Sequence, residues 1–179
     1  LERLTKASRY FAYPFDPEDL RQKIEKECQV CDVNQDYRLR VTLSKSGETE
    51  LSRQILTPLS PTFCKAKLCL QEANLQQAFT YFKTTHRPHL SLGEQEKIYH
   101  NKSGELLETS IGNLVLKING KLYTPPISQG ILPGIYRQHL LETGQVEEKV
   151  LTLKDLSQAE AVYGCNAVRG MYELLLKER

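Results

Sequence analysis

The amino-acid sequence predicts an α+β chain of two domains, a small one over residues 1–60 and a larger, strand-rich one over residues 61–179. Three observations carry this reading. The chain opens on two helical patterns followed by one alternating hairpin. Thr57-Pro58-Leu59-Ser60-Pro61 then supplies two prolines and polar residues suited to an exposed linker. Beyond it, turn signals separate short apolar runs, with few stretches long enough for a helix.

In chain order, residues 1–11 read as an amphipathic helix, and Asp16-Pro17 opens a second one that runs to about Cys28, with proline in its first turn. Residues 37–44 and 48–56 alternate around Ser46-Gly47, which gives a hairpin. A strand is predicted over 63–70. Residues 94–100 and 105–108 flank Asn101-Lys102-Ser103-Gly104 as a second hairpin. A third has 114–118 and 121–124 around Asn119-Gly120, the strongest short-range signal for a two-residue turn. The segment 108–113 is expected to cross between strands, where side chains can point into a cleft. Pro133 enters and Gly144 stops a short helix over 134–141. A further helix is predicted over 153–163, then a turn at Asn166 and a last short element at 171–176.

The chain has 179 residues, 40% of them hydrophobic, and a formal net charge of +2. A sizeable core is therefore possible, while no apolar run approaches the length needed to cross a membrane. So small a charge does not imply a nucleic-acid partner. The opening Leu1-Glu2-Arg3-Leu4-Thr5-Lys6 does not read as a secretory leader, and a cytoplasmic setting with reduced thiols is expected. Cys28-Gln29-Val30-Cys31 has metal or redox spacing, but five cysteines is an odd count for a disulfide framework. Cys64 and Cys69 lie five apart on the predicted strand and would face opposite ways. No metal site is expected, since His86, His89, His100 and His139 lack ligand spacing and read as mostly solvated.

Two features carry chemistry by themselves. The helix starting near Gly134 leaves the amides of Ile135 and Tyr136 without intrahelical partners at the positive end of its dipole, and glycine lets a ligand approach the backbone. That is a candidate anion site, suited to a phosphate, or a Pro-Gly helix entry of purely structural use. Glu108, in the segment between strands, is a candidate interior carboxylate or a solvated residue at a strand end.

These residues stand in a recognisable order. It runs Lys83-Thr84-Thr85, Gly104-Glu105-Leu106-Leu107-Glu108-Thr109-Ser110-Ile111-Gly112-Asn113, then Gly120-Lys121-Leu122-Tyr123-Thr124-Pro125-Pro126. Gly130-Ile131-Leu132-Pro133-Gly134-Ile135-Tyr136-Arg137 and Cys165-Asn166-Ala167-Val168-Arg169-Gly170 follow. The series resembles the fold-type IV pyridoxal-phosphate enzymes, the class IV aminotransferase superfamily, and within it most resembles aminodeoxychorismate lyases fused behind an aminodeoxychorismate synthase component. Residues 1–11 fit the family's first helix, so the resemblance spans nearly the whole chain.

The resemblance implies a D-amino-acid-aminotransferase-like fold, with a small α/β domain and a larger β-barrel-like domain, and pyridoxal 5'-phosphate as cofactor. Lys83 matches the lysine that joins the cofactor aldehyde; such an amine needs partial desolvation, which Phe79, Tyr81 and Phe82 are placed to supply. Glu108 matches the carboxylate that keeps the pyridine nitrogen protonated, and Asn113 belongs to the same motif. Gly134, Ile135 and Tyr136 match the phosphate cradle, with Asn166 and Ala167 as a second contact. Arg169 is a candidate for a substrate carboxylate, or a plain surface ion pair.

The implied activity is elimination of pyruvate from 4-amino-4-deoxychorismate to give para-aminobenzoate for folate biosynthesis, by a homodimer, fused to or associated with the synthase. Two alternatives stay open: a branched-chain or D-amino-acid aminotransferase-like enzyme, and a non-catalytic fragment or remnant that holds no cofactor. Three departures accompany the resemblance. Family members carry strands before Leu1, with a basic residue on the phosphate; His86-Arg87-Pro88-His89-Leu90 stands where a longer helix usually continues, and Pro88 would interrupt it; Thr109 replaces a usual glycine.

Overall fold

The computed structural model describes residues 1–71 and 78–176, which divide after Pro58 into two units. In the first unit, α1 (Glu2–Tyr10) is followed by α2 (Pro17–Gln29), whose start is fixed by Asp16: its Oδ1 accepts the amides of Glu18 and Asp19 at 2.8 and 3.3 Å. Leu20 buries the inner face of α2. Strands β1 (Tyr37–Leu43) and β2 (Thr49–Ile55) pair antiparallel, Tyr37 opposite Ile55, and the turn between them needs Gly47. That residue has φ +91°, and a Cβ on it would stand 2.9 Å from the Pro14 side chain.

The second unit is built on one mixed sheet. Its strands are β3 (Lys65–Leu70), β4 (Lys97–His100), β5 (Leu106–Thr109), β6 (Asn113–Ile118), β7 (Lys121–Thr124), β8 (Glu147–Glu148), β9 (Ala161–Asn166), β10 (Gly170–Glu173) and β11 (Leu175–Leu176). The hydrogen-bonded order is β10-β9-β6-β5-β4-β3-β11, with β7 on β6 and β8 on β7. Strand β6 is the hub: β9 lies along one side, while β5 pairs with its beginning and β7 with its end. Its Leu114-Val115-Leu116 run is buried on both faces, the pattern of a central strand. Leu114 and Leu116 join Ile98, Leu106, Leu151 and Leu174 in one core; Val115 joins Leu140, Val146 and Cys165 in a second, beside α5 (Ile135–Glu142).

The turn at Asn119-Gly120 has both residues at positive φ, 50° and 75°, as a two-residue hairpin requires. Four expectations are corrected. Phe63 and Cys64 are not in a strand but in the helical turn α3 (Pro61–Cys64), capped by the Ser60 hydroxyl, so Cys64 and Cys69 do not share a strand and Ser60-Pro61 is not linker. Residues 153–163 are not one helix. The capping box of Thr152 and Asp155 starts α6 (Leu153–Gln158), the chain turns extended at Ala159, and Ala161–Asn166 pairs with β6. Helix α4 (Ala78–Tyr81) ends well before Pro88, which therefore interrupts nothing. Nor does 108–113 cross between strands at length: Glu108 and Asn113 are directly paired across a tight turn. Among the described residues no helix is long and apolar enough to cross a membrane.

Candidate active site

The β5–β6 turn anchors the site. Thr109 N–H donates to Gly112 O at 2.9 Å, and Gly112 N–H donates back to Thr109 Oγ1 at 3.1 Å. A fully buried carboxylate, Glu96, fastens the turn from outside. It accepts the amides of Ser110 and Lys97 at 2.8 and 3.1 Å and the Tyr172 hydroxyl at 3.1 Å. A Cβ at Gly112 would lie 2.5 Å from Cys165 O, so β9 closes on this turn only because the residue is glycine.

Glu108 is 2% exposed. Its Oε2 accepts Leu132 N–H at 3.4 Å and its Oε1 faces Arg87 Nη2 at 3.4 Å. Burial lifts its pKa from an ordinary 4.5 to about 7, even though the charges of Arg87 and Lys83 and the Leu132 amide pull the other way. One long contact to a guanidinium does not offset removal from water. Because the folded chain holds this proton more tightly than the unfolded chain, the contribution to stability is whole below pH 4.5 and is lost as pH rises through about 7. Glu108→Gln is expected to remove that loss, on the order of 3 kcal/mol, which urea unfolding at pH 4, 5.5, 7 and 8 would measure.

Asn113 ties β6 to the entry of α5. Its Nδ2 donates to Leu132 O at 2.8 Å, and a Cβ on Gly134 would stand 2.0 Å from its Oδ1. Gly134 is extended and places no side-chain cap on α5, so the amides of Ile135 and Tyr136 keep the anion-binding character expected of a helix start. The helix is fastened further along by Arg137, a buried residue that donates to Pro125 O at 2.7 Å and pairs with Glu148. The Tyr136 ring meets Gly170, where a Cβ would lie 3.5 Å from the Tyr136 hydroxyl.

Asn166 brings in the β9–β10 turn. Its Nδ2 donates to Ile111 O at 3.3 Å, while its Oδ1 accepts the amides of Val168 and Arg169, both at 2.9 Å. The side chain is thereby spent on shaping the turn. Ala167 is exposed and Arg169 half-buried beside it. Glu108 is thus paired with Asn113 and Asn113 abuts Gly134, while Tyr136 meets Gly170, the strand partner of Asn166, and Asn166 reaches the β5–β6 turn through Ile111.

Lys83 lies two residues beyond α4, and its charge is felt at Glu108. Lys83 is exposed where desolvation by Phe79, Tyr81 and Phe82 is expected; the three rings are half-buried, and Phe79 packs edge-on against His86 at 5.2 Å. The helix ends too early to carry Lys83 on the same face. The histidines are less uniformly solvated than expected, since the half-buried His89 is pushed down in pKa by burial and by the charges of Arg87 and His86, and His100 is also half-buried. Sequence reasoning missed Glu96, Tyr172 and the pairing role of Arg87. The one available signal was an arginine within the segment that departs from the family pattern.

A family model described as amino-transferase class IV matches residues 1–174. The chain belongs to the class IV aminotransferase family. It is 27% identical to the aminodeoxychorismate lyase of Saccharomyces cerevisiae over 214 residues, 90% of this chain and 56% of that protein. The chain therefore spans little more than half the length of that relative. Its mixed α+β fold matches class IV structures. A provisionally named amino-acid aminotransferase from Mesorhizobium loti aligns with TM-score 0.84 at 26% identity, over 98% of this chain and 89% of that one. The 4-amino-4-deoxychorismate lyase of Pseudomonas aeruginosa aligns with TM-score 0.67 at 21% identity, over 99% and 76%, a likeness of fold alone.

Proposed function

We propose that the chain is the cofactor-holding part of a pyridoxal-phosphate-dependent 4-amino-4-deoxychorismate lyase. The observation that carries the reading is the juxtaposition of a buried carboxylate, Glu108, with a glycine-entered helix start that Asn113 allows no side chain to fill. A ring nitrogen and a phosphate on one rigid group match the two ends of that arrangement. The residues fit pyridoxal phosphate: Glu108 for the ring nitrogen, the amides of Ile135 and Tyr136 for the phosphate, and Ala167 on the neighbouring turn. When bound, the cofactor supplies an electron sink for charge developing at the carbon that bears the substrate's amine.

The chain's own groups do the rest. Glu108 holds a proton on the ring nitrogen. Lys83 Nζ, in its neutral form, takes the proton from the substrate's amine-bearing carbon and serves as relay to the departing pyruvate. Loss of pyruvate leaves an aromatic ring, which makes the step strongly downhill. The yeast relative's name supports the lyase. The Mesorhizobium loti likeness supports a second reading, an aminotransferase that uses the same lysine and cofactor. The exposure of Lys83 supports a third, a chain that folds without catalysis. Incubation with 4-amino-4-deoxychorismate and pyridoxal phosphate, without any keto acid, decides among them. Pyruvate and para-aminobenzoate in equal amounts support the lyase; turnover only when a keto acid is added moves the assignment to aminotransferase; no turnover in either assay rejects both.

A further inference from the structure

The segment His86-Arg87-Pro88-His89-Leu90 leaves the family pattern, yet it delivers a guanidinium to within 3.4 Å of Glu108. Its backbone is restrained on both sides of Arg87. Pro88 keeps the residue before it out of helix, and Leu90 N–H donates to Arg87 O at 3.1 Å. The side chain is 17% exposed, and its Nη2 stands 3.4 Å from Glu108 Oε1. Its buried Nε has no hydrogen-bond partner, so the guanidinium reaches the carboxylate through one nitrogen and not through a fork.

We propose that Arg87 is a positioning residue that acts through Glu108: its guanidinium, 3.4 Å from Oε1, opposes the proton uptake that burial favours and aims the carboxyl from the β5–β6 turn. The inference rests on the reading of Glu108 as partner of the cofactor's ring nitrogen. A carboxylate at 2% exposure without a cation beside it neutralises itself by taking up a proton. A neutral carboxyl is a poor partner for a cationic ring. The groups acting on Glu108 are few: Arg87 and Lys83 from the segment after α4, and the amide of Leu132 from the entry to α5. Lys83 is exposed and contributes least of these, and neither His86 nor His89 is among the groups that act on Glu108, although Arg87 and His86 both act on His89. Arg87 is therefore the cation that works hardest against the effect of burial on Glu108.

The test reads the carboxyl itself. Full chain carrying carbon-13 glutamate, freed of any bound pyridoxal phosphate, is titrated by NMR as wild type, Arg87→Met and Arg87→Lys, with Glu108→Gln to assign the signal. The Glu108 midpoint is expected to move up by roughly one to three pH units in Arg87→Met and to stay near wild type in Arg87→Lys, which restores charge without the planar fork. An unmoved midpoint in Arg87→Met overturns the proposal, because a purely structural arginine would lower stability at every pH and leave the midpoint alone. Should Arg87→Met fail to fold, Arg87→Gln takes its place with the same two outcomes. Pyridoxal phosphate titrations run beside it separate the two claims. A wild type that takes up no cofactor ends the function proposed above, while a shifted midpoint still establishes what Arg87 does to Glu108.

Discussion

Lys83→Ala is expected to lower pyruvate release by at least about a hundredfold and to leave the fold intact. A positioned group that moves a proton contributes on the order of 10² to 10⁴ in rate, and here the same amine also holds the cofactor. Lys83 is exposed and lies outside every regular element, so its removal is expected to change stability by no more than about 1 kcal/mol, the worth of an exposed contact. Lys83→Arg sharpens the test: it keeps a positive charge near Glu108 but supplies no neutral amine at any accessible pH. Both variants should be inactive with unchanged unfolding midpoints. Activity in either one at the wild-type level removes Lys83 from the reaction.

Gly134→Ala should be among the most damaging single methyls in the larger unit. The added Cβ would lie 2.0 Å from Asn113 Oδ1. Relief requires either turning Asn113, which breaks its 2.8 Å bond to Leu132 O, or pushing the start of α5 away from β6. Overpacking of this kind costs about 1–3 kcal/mol, and either route disturbs the amides of Ile135 and Tyr136. Urea unfolding should show the loss of stability, and inorganic phosphate should compete less well for the site. Gly93→Ala is the control, because a Cβ there meets only Gln95 O at 3.9 Å. Equal effects of the two substitutions would show that the Asn113–Gly134 contact has no special role.

How much was legible in the sequence depended on whether the determining forces were local. Asn119-Gly120 encodes its turn in two residues, and Pro133-Gly134 marks a helix start by the same local chemistry. The role expected of Glu108 came from family resemblance; its burial stayed open, because its neighbours come from β4, β6 and the entry to α5. The segment 153–163 was misread where local preference gave way to tertiary pairing. Asp155 and Thr152 start a helix, but Ala161, Val162 and Tyr163 are taken by the ladder with β6, and the next residue, Gly164, is needed where the Tyr172 ring passes 2.5 Å from a Cβ position. Glu96 was invisible for a similar reason. A glutamate before a strand looks solvated until three donors from β4, the β5–β6 turn and β10 converge on it. Arg87 and Glu108 are separated by a strand and two irregular segments, and only folding brings them to 3.4 Å.

The most direct measurement is a titration of the full chain with pyridoxal phosphate, followed by visible absorbance at near-neutral pH. A saturable visible band with a stoichiometry of one per chain, weakened by competing phosphate and absent in Lys83→Ala, is the predicted result. No band at saturating cofactor, or the same band in wild type and Lys83→Ala, would contradict it.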